Sequence, residues 1–267
     1  MKYIQIILAI FFSAIVQTNA QSYHIAPGKL QVDGSVEAMQ TIGNNLLIAG
    51  NFRYTGQGVD GNVFVDDTLG SLISSKLHFT STNVNSVHID AVISDNQNGF
   101  FIGGSFDFLN GVGVYNLVHL DSNLQIVPDN YNVPEVVTCL CLFQGKLYIG
   151  TGNDNSGLNT FNLVRMNLTT GHLDNWAIDV GQGTPMEVLK SDGDHLFCSG
   201  QFQYVTDDAT SITYQRENIF VLDSNGIVSN FNLPIHALSP YVTPVNAIQF
   251  LGDTIIVCGN FDSIGNY

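Results

Sequence analysis

The chain has 267 residues, 45% of them hydrophobic and only 12% charged, with 23 acidic side chains and a formal net charge of −15. So acidic a surface repels phosphate backbones, since nucleic-acid binding relies on clustered Lys and Arg that release counterions, and nucleic acid is excluded as an expected partner. Abundant Val, Ile, Leu, Phe, Gly, Asn and Thr exclude a disordered chain and suit strands joined by tight turns.

Residues 1–20 form a separate element. Lys2 supplies a positive start, Ile4 to Val16 is apolar apart from Gln5 and Ser13, and Thr18-Asn19-Ala20 is a small-residue cleavage site. This pattern is that of a secretory signal peptide. Its apolar run is shorter than the roughly twenty residues a membrane-spanning helix needs, and no later segment approaches that length. The mature chain, 21–267, is therefore expected to be secreted or held at the cell surface, with no transmembrane segment of its own.

From Ser35 onward one pattern recurs. SVEAMQTIGNNLLIAGNF (Ser35 to Phe52) returns as PVNAIQFLGDTIIVCGNF (Pro244 to Phe261) with seven of eighteen positions identical. Weaker copies lie at NGFFIGGSF (Asn98 to Phe106), GKLYIGTGN (Gly145 to Asn153) and GDHLFCSGQF (Gly193 to Phe202). A unit of roughly fifty residues thus occurs five times, which signals a propeller, a solenoid or an array. Each unit opens with an apolar or alternating run, turns at a Gly, and continues with a short unbroken apolar run such as Leu46-Leu47-Ile48 or Ile255-Ile256-Val257. That order predicts a hairpin whose second strand is covered on both faces.

A small residue follows at Gly50, Gly104, Thr151, Gly200 and Gly259, with Phe two places later in four copies (Phe52, Phe106, Phe202, Phe261). The glycines are expected where blade sheets converge and a side chain would collide with the neighbouring backbone; the phenylalanines are expected to fill the space between blades. The second half of each unit begins at Asn62, Asn116, Asn162 or Asn218 and runs through strand residues into an Asp or Asn turn, predicting a third strand. A fourth is predicted at Leu124 to Val127, Leu173 to Ala177 and Ile227 to Phe231. With no amphipathic helical period, the fold class is all-β: a β-propeller of four-stranded antiparallel blades, about five repeats, the last incomplete.

The apolar strand, Gly-Gly or Gly-Asn, Phe, a Gly- and Asn-rich loop, then Asn-Leu-x-x-Leu-Asp and a Gly turn, resembles secreted delta-60-type propeller repeats. It is also similar to the kelch-like repeats of fungal cortical polarity-marker proteins. The likeness runs from about Ser35 to Tyr267, although only Gly103-Gly104 keeps the kelch doublet and Trp176 is the sole tryptophan. The resemblance implies a propeller fold, a surface location and an interaction role, with no catalytic residues to carry over.

Gly265-Asn266-Tyr267 matches Gly113-Val114-Tyr115, a point in mid-unit. We therefore expect a piece of a longer protein with further blades and an anchoring region; closure of the last blade by His24 to Asp33 is the other way to complete it. Cys139, Cys141, Cys198 and Cys258 each sit in apolar runs and are expected as small buried hydrophobes, with Cys139 and Cys141 on one strand face; a bridge from Cys198 or Cys258 to another blade stays open.

The chain carries no nucleophile elbow, zinc-helix, phosphate-loop or dinucleotide motif. Ser191-Asp192-Gly193-Asp194 has the wrong spacing for a sialidase-type box, and Glu37 and Glu187 fall at equivalent repeat positions, which points to blade geometry. The seven histidines lack metal-ligand spacing, Asn153 to Gly157 reads as an Asn-rich turn, and Asn167-Leu168-Thr169 is a glycosylation acceptor sequence. We expect no catalytic residue, no metal and no cofactor. The expected function is an exported, non-enzymatic module binding a protein or glycan, with Tyr204, Asp207, Asp208 and Tyr214 on the longest loop, Gln203 to Gln215, as binding residues. The alternative is a secreted hydrolase or lyase with its site at the propeller's central channel.

Overall fold

The computed structural model describes residues 35–42, 45–51, 63–67, 72–74, 77–82, 87–128, 133–152, 162–181, 185–237 and 244–265. The leader, His24 to Asp33, and the Asn153 to Gly157 cluster lie outside them. Among the described residues there are strands and no helix. No helix there is long and apolar enough to cross a membrane.

The five repeats appear as five successive antiparallel sheets. The first orders Ser35–Ile42, Asn45–Asn51, Val63–Asp67 and Leu72–Ser74 side by side. The third unit has the same four-strand plan, with Val137–Phe143, Lys146–Thr151, Leu163–Asn167 and His172–Asp179. In the second unit (His88–Ser94, Phe100–Ser105, Leu117–Leu120) and the fourth (Met186–Ser191, Leu196–Gly200, Ile219–Leu222), three strands form. The predicted fourth strand is there reduced to single bridges, Leu120 to Ile126 and Leu222 to Val228. The reason is local. Asp121 accepts the Asn123 and Gln125 amides, and Asp223 those of Asn225 and Ile227, so side chains take donors that a ladder would use. Asn167 caps only the Thr169 amide, and its unit keeps the full strand.

Every first strand in units one to four carries a bulge at the same place, where the register steps over Glu37, Asp90, Thr138 and Glu187. The equivalence of Glu37 and Glu187 is thus a matter of blade geometry. The bulge also accounts for the recurrent glycine. A Cβ on Gly104 would lie 2.0 Å from the His88 carbonyl oxygen, on Gly200 2.5 Å from that of Pro185, and on Gly259 2.0 Å from that of Pro244. The close approach comes from the unit's own first strand, not from a neighbouring blade as the sequence implied. The third unit has Thr151 at this place, which is buried.

The Asn that opens the third strand in units two to four is a clasp. Asn218 is buried, accepts the Phe202 amide at 3.1 Å and donates to the Ile235 carbonyl. Asn162 accepts the Val180 amide at 2.8 Å, and Asn116 donates to the Val133 carbonyl at 3.1 Å. One amide side chain therefore ties the segment after the second strand, or the segment leaving the outer edge, to the sheet.

Packing runs between units. Four apolar clusters join the first unit to the second (Leu47 with Ile102 and Phe106), the second to the third (Phe101 with Leu140 and Ile149), the third to the fourth (Tyr148 and Trp176 with Phe202 and Phe220) and the fourth to the fifth (Phe197 with Ile248 and Val257). The first strands of successive units lie against one another in chain order. Phe106 and Phe202 fill inter-unit space as the sequence implied; Phe261 is half-buried, and Phe52 lies outside the described residues. Each buried Phe contributes about 1.5–3 kcal/mol, so the nearest-neighbour interfaces hold most of the core.

A second connection, which the repeat pattern did not disclose, links the units at their rims. The hairpin after one unit's second strand pairs with the outer segment of the unit before: Phe108–Leu109 with Phe79–Thr80, Tyr204–Asp207 with His172–Asp179, and Phe261–Ile264 with Ile235–Ala237. All four cysteines are free thiols. Cys139 and Cys141 lean into the same cluster between the third and fourth units, as their spacing implied, and Cys198 joins them there. Burial raises all three thiol pKa values.

Candidate functional site

The segment expected as the longest loop is one of these rim hairpins. Tyr204–Asp207 pairs with Ile212–Gln215, and its far edge joins the third unit's outer strand through Ile178 and Asp179. Because side chains alternate across a strand, the four candidate residues do not share a face. Tyr204 is 56% exposed and Asp208 is exposed, whereas Asp207 is 2% exposed and Tyr214 is half-buried against the core. Asp207 and Tyr214 thus serve as the anchor of the hairpin. Asp207 caps the turn by accepting the Ala209 amide at 3.0 Å, and the Arg216 guanidinium lies 5.5 Å over the Tyr214 ring while donating to the Ser229 carbonyl at 2.9 Å. Outward stand Tyr204, Thr206, Thr213 and Gln215, with the two Thr hydroxyls 3.1 Å apart, and Ile212 is 49% exposed at the tip. An aromatic ring beside hydroxyl and amide groups on a pinned hairpin is a contact face that loses little entropy on binding.

A groove opens between the fourth and fifth units, with a volume of about 200 Å³. Its walls are Phe197, Val221 and Phe231 on one side and Phe250 and Ile255 on the other, and Asp192, His195 and Asp253 stand at its rim. Asp192 accepts the Asp194 and His195 amides at 2.9 and 2.7 Å, and His195 Nδ1 lies 3.4 Å from its carboxylate. Burial raises the Asp192 pKa, but these hydrogen bonds outweigh it and hold the group below the usual carboxylate range. The segment nearest to a sialidase-type box is therefore a capped hairpin turn, and His195 precedes its strand instead of lying within it. The groove escaped the sequence reading; the signal was the exchange of Tyr148, Arg165 and Trp176 for Phe197, Val221 and Phe231 in the next repeat.

Of the other titratable groups, His119 stacks on Phe101 at 4.2 Å and contacts the Asp95 carboxylate at 2.9 Å. Asp90, at its bulge, has a raised pKa, through burial first and the nearby Glu37 charge as well, against His88. Among the described residues, no three His, Cys, Asp or Glu converge on a metal position.

No family model matches this chain, and no curated protein does. Solved structures do. The extracellular domain of a hybrid two-component system, BT3049 from B. thetaiotaomicron, superposes with a TM-score of 0.50 at 15% identity over 87% of this chain and 27% of its own length. The extracellular domain of a one-component system, BT4673 of the same organism, has a TM-score of 0.49 at 17% identity over 89% and 28%. The Neurospora crassa Pan2 WD40 domain has 0.47 at 11% over 76% and 56%. The chain thus spans about a quarter of the bacterial domains, and the likeness at these identities is one of fold.

Proposed function

We propose that this chain is an exported β-propeller that acts as a non-enzymatic binding module, taking a protein or glycan ligand at the cell surface or outside the cell. The apolar leader from Ile4 to Val16 supports export, and the five inter-packed sheets support a propeller. The observation that carries the binding role is the Tyr204–Gln215 hairpin: its inner face is locked by Val205, Asp207 and Tyr214, its outer face presents Tyr204, and Ile212, opposite Asp207, is exposed at the tip. A rigid base with an exposed aromatic and aliphatic tip is the composition of a contact hot spot.

The test uses purified, fluorescently labelled protein on a glycan array and on a panel of immobilised extracellular-matrix proteins. Binding to a restricted subset is expected, weakened about tenfold or more by combining Tyr204→Ala with Ile212→Ser. Both side chains are exposed, so the melting temperature should hold within the effect of about 0.5 kcal/mol typical of surface changes. A double variant that keeps full affinity for every partner removes the hairpin from the function.

A further inference from the structure

Asn167-Leu168-Thr169 is the only Asn-x-Ser/Thr sequence in these 267 residues, and the binding role makes no use of it. It lies where the third unit's third strand, Leu163–Asn167, turns into its fourth, His172–Asp179. Asn167 pairs with His172 at the mouth of the turn, and the Gly171 amide donates to the Asn167 carbonyl at 2.9 Å. Gly171 has φ +67°, which glycine adopts without strain. Leu168 is 38% exposed and Thr169 and Thr170 are exposed, so the turn stands in solvent.

The two ends of the Asn167 amide have different fates. Its Oδ1 accepts the Thr169 backbone amide at 2.9 Å and caps the turn. Its Nδ2 donates to nothing among the described residues. The asparagines that open the third strands differ in this respect, since the Nδ2 atoms of Asn116, Asn162 and Asn218 donate to the Val133, Gly181 and Ile235 carbonyls. Nor does the cap call for an amide nitrogen. At the same repeat position the second and fourth units carry Asp121 and Asp223, each of which accepts two backbone amides. The third unit thus holds an amide nitrogen where the fold needs only an acceptor, in an open turn, with a threonine hydroxyl two residues on.

We infer that Asn167 is the attachment site of an N-linked oligosaccharide, a reading that rests on the export proposed for residues 1–20. The donor class is a lipid-pyrophosphate-linked oligosaccharide of a eukaryotic secretory compartment. The Asn167 nitrogen bonds to the anomeric carbon of the first sugar and gives up one proton. The bond from that carbon to the pyrophosphate breaks, and the lipid pyrophosphate leaves. In the folded chain Oδ1 keeps its bond to the Thr169 amide while the sugar extends from Nδ2 into solvent. His172 begins the strand whose other end, at Ile178 and Asp179, holds the Tyr204–Gln215 hairpin. At about 3.3 Å per residue the sugar is attached roughly 20 Å from that hairpin along the strand, and ligand binding there should not depend on it.

The test secretes the full chain from cultured human cells, once with its own residues 1–20 and once with a leader of proven efficiency in their place. Peptides are then mapped by mass spectrometry with and without peptide N-glycosidase, which removes the sugar and converts its asparagine to aspartate. Most of the secreted protein should carry one oligosaccharide, on Asn167. Thr169→Ala should abolish it and Thr169→Ser should retain part of it. Made without sugar in bacterial cells, both variants should melt with the unaltered chain, because the cap uses the Thr169 amide and not its hydroxyl. Asn167→Asp should lose the sugar and keep the cap, whereas Asn167→Ala loses both and should melt about 2–4 °C lower. A secreted chain unmodified at Asn167 behind either leader overturns the inference, as does a sugar that persists in Thr169→Ala. Modification behind the proven leader alone upholds the turn as the acceptor and overturns export by residues 1–20.

Discussion

The fourth and fifth units use nearly the same local chemistry and end in different states. Leu196–Gly200 is wholly buried; Thr254–Cys258, with the longer run of branched apolar residues, buries only Val257. In the first strand of the fifth unit Leu251 is 71% exposed. An unbroken apolar run therefore does not report its own coverage. Coverage comes from the strand on its outer edge and from the next unit's turn, as Ile219–Leu222 and the Asp223 to Gly226 turn provide for their neighbours. The unit is a half-interface, and its stability belongs to the pair it forms.

The sharpest way to break this comparison is to cut side chains at the two places. Phe220 is fully buried between the third and fourth units, 5.6 Å from Phe202, and Phe220→Ala should cost about 3–5 kcal/mol. Ile256→Ala in the fifth unit should cost less than about half as much, since part of its surface is already wet. Urea unfolding monitored by tryptophan fluorescence measures both; equal losses would show the fifth unit to be as tightly held as the fourth.

The glycines that follow each second strand come next. Gly104 and Gly259 face the same 2.0 Å approach of a backbone carbonyl. Gly104→Ala, inside two packed neighbours, should cost about 3 kcal/mol, and Gly259→Ala clearly less, because the half-covered strand can shift to admit the methyl group. A loss at Gly259 that matches the one at Gly104 means the backbone approach is rigid whatever lies outside it.

Removing the Asn218 side chain strands a buried amide N–H of Phe202 and a buried carbonyl of Ile235, so Asn218→Ala should cost about 2 kcal/mol. Asn218→Asp keeps the acceptor and loses the donor, and a smaller cost than alanine in calorimetry would confirm the clasp as two separable bonds.

The smallest effect is that of pH. Asp174 has its pKa raised by burial but lowered more by hydrogen bonds and charge from Lys146 at 2.9 Å and Arg165 at 2.8 Å. Asp95 and Asp192 are likewise lowered on balance by hydrogen bonds that outweigh burial. A folded-state pKa below the unfolded one means that the stability these groups contribute is complete above the ordinary carboxylate pKa of about 4 and is lost as pH falls through the depressed values. All three lie in the second to fourth units, so the urea midpoint should hold down to about pH 5 and then decline, and Asp174→Asn should flatten part of that decline. A midpoint that rises on acidification contradicts the signs of these shifts.

Much of the blade was legible in the chain. The recurrent Gly, the Asn before each third strand and the Asp or Asn turn after it mark positions where one residue type meets a fixed backbone need, and such needs repeat with the fold. The candidate binding hairpin was legible only in part. Gln203 to Gln215 stands out by length, but its strand register, which turns Asp207 and Tyr214 inward, depends on pairing with His172–Asp179 some thirty residues earlier. The groove was least legible, because its lining comes from two units and depends on how they pack.

From the sequence alone followed the antiparallel order within a unit, the all-β class and the places of the turns, because these depend on spacing and on conformations that few residues adopt. Only the tertiary structure decided which apolar strand is buried, which side of the rim hairpin faces outward and where the groove between the fourth and fifth units lies. Those properties arise from contacts between units, and a residue's exposure is set by what packs beside it as much as by its own side chain.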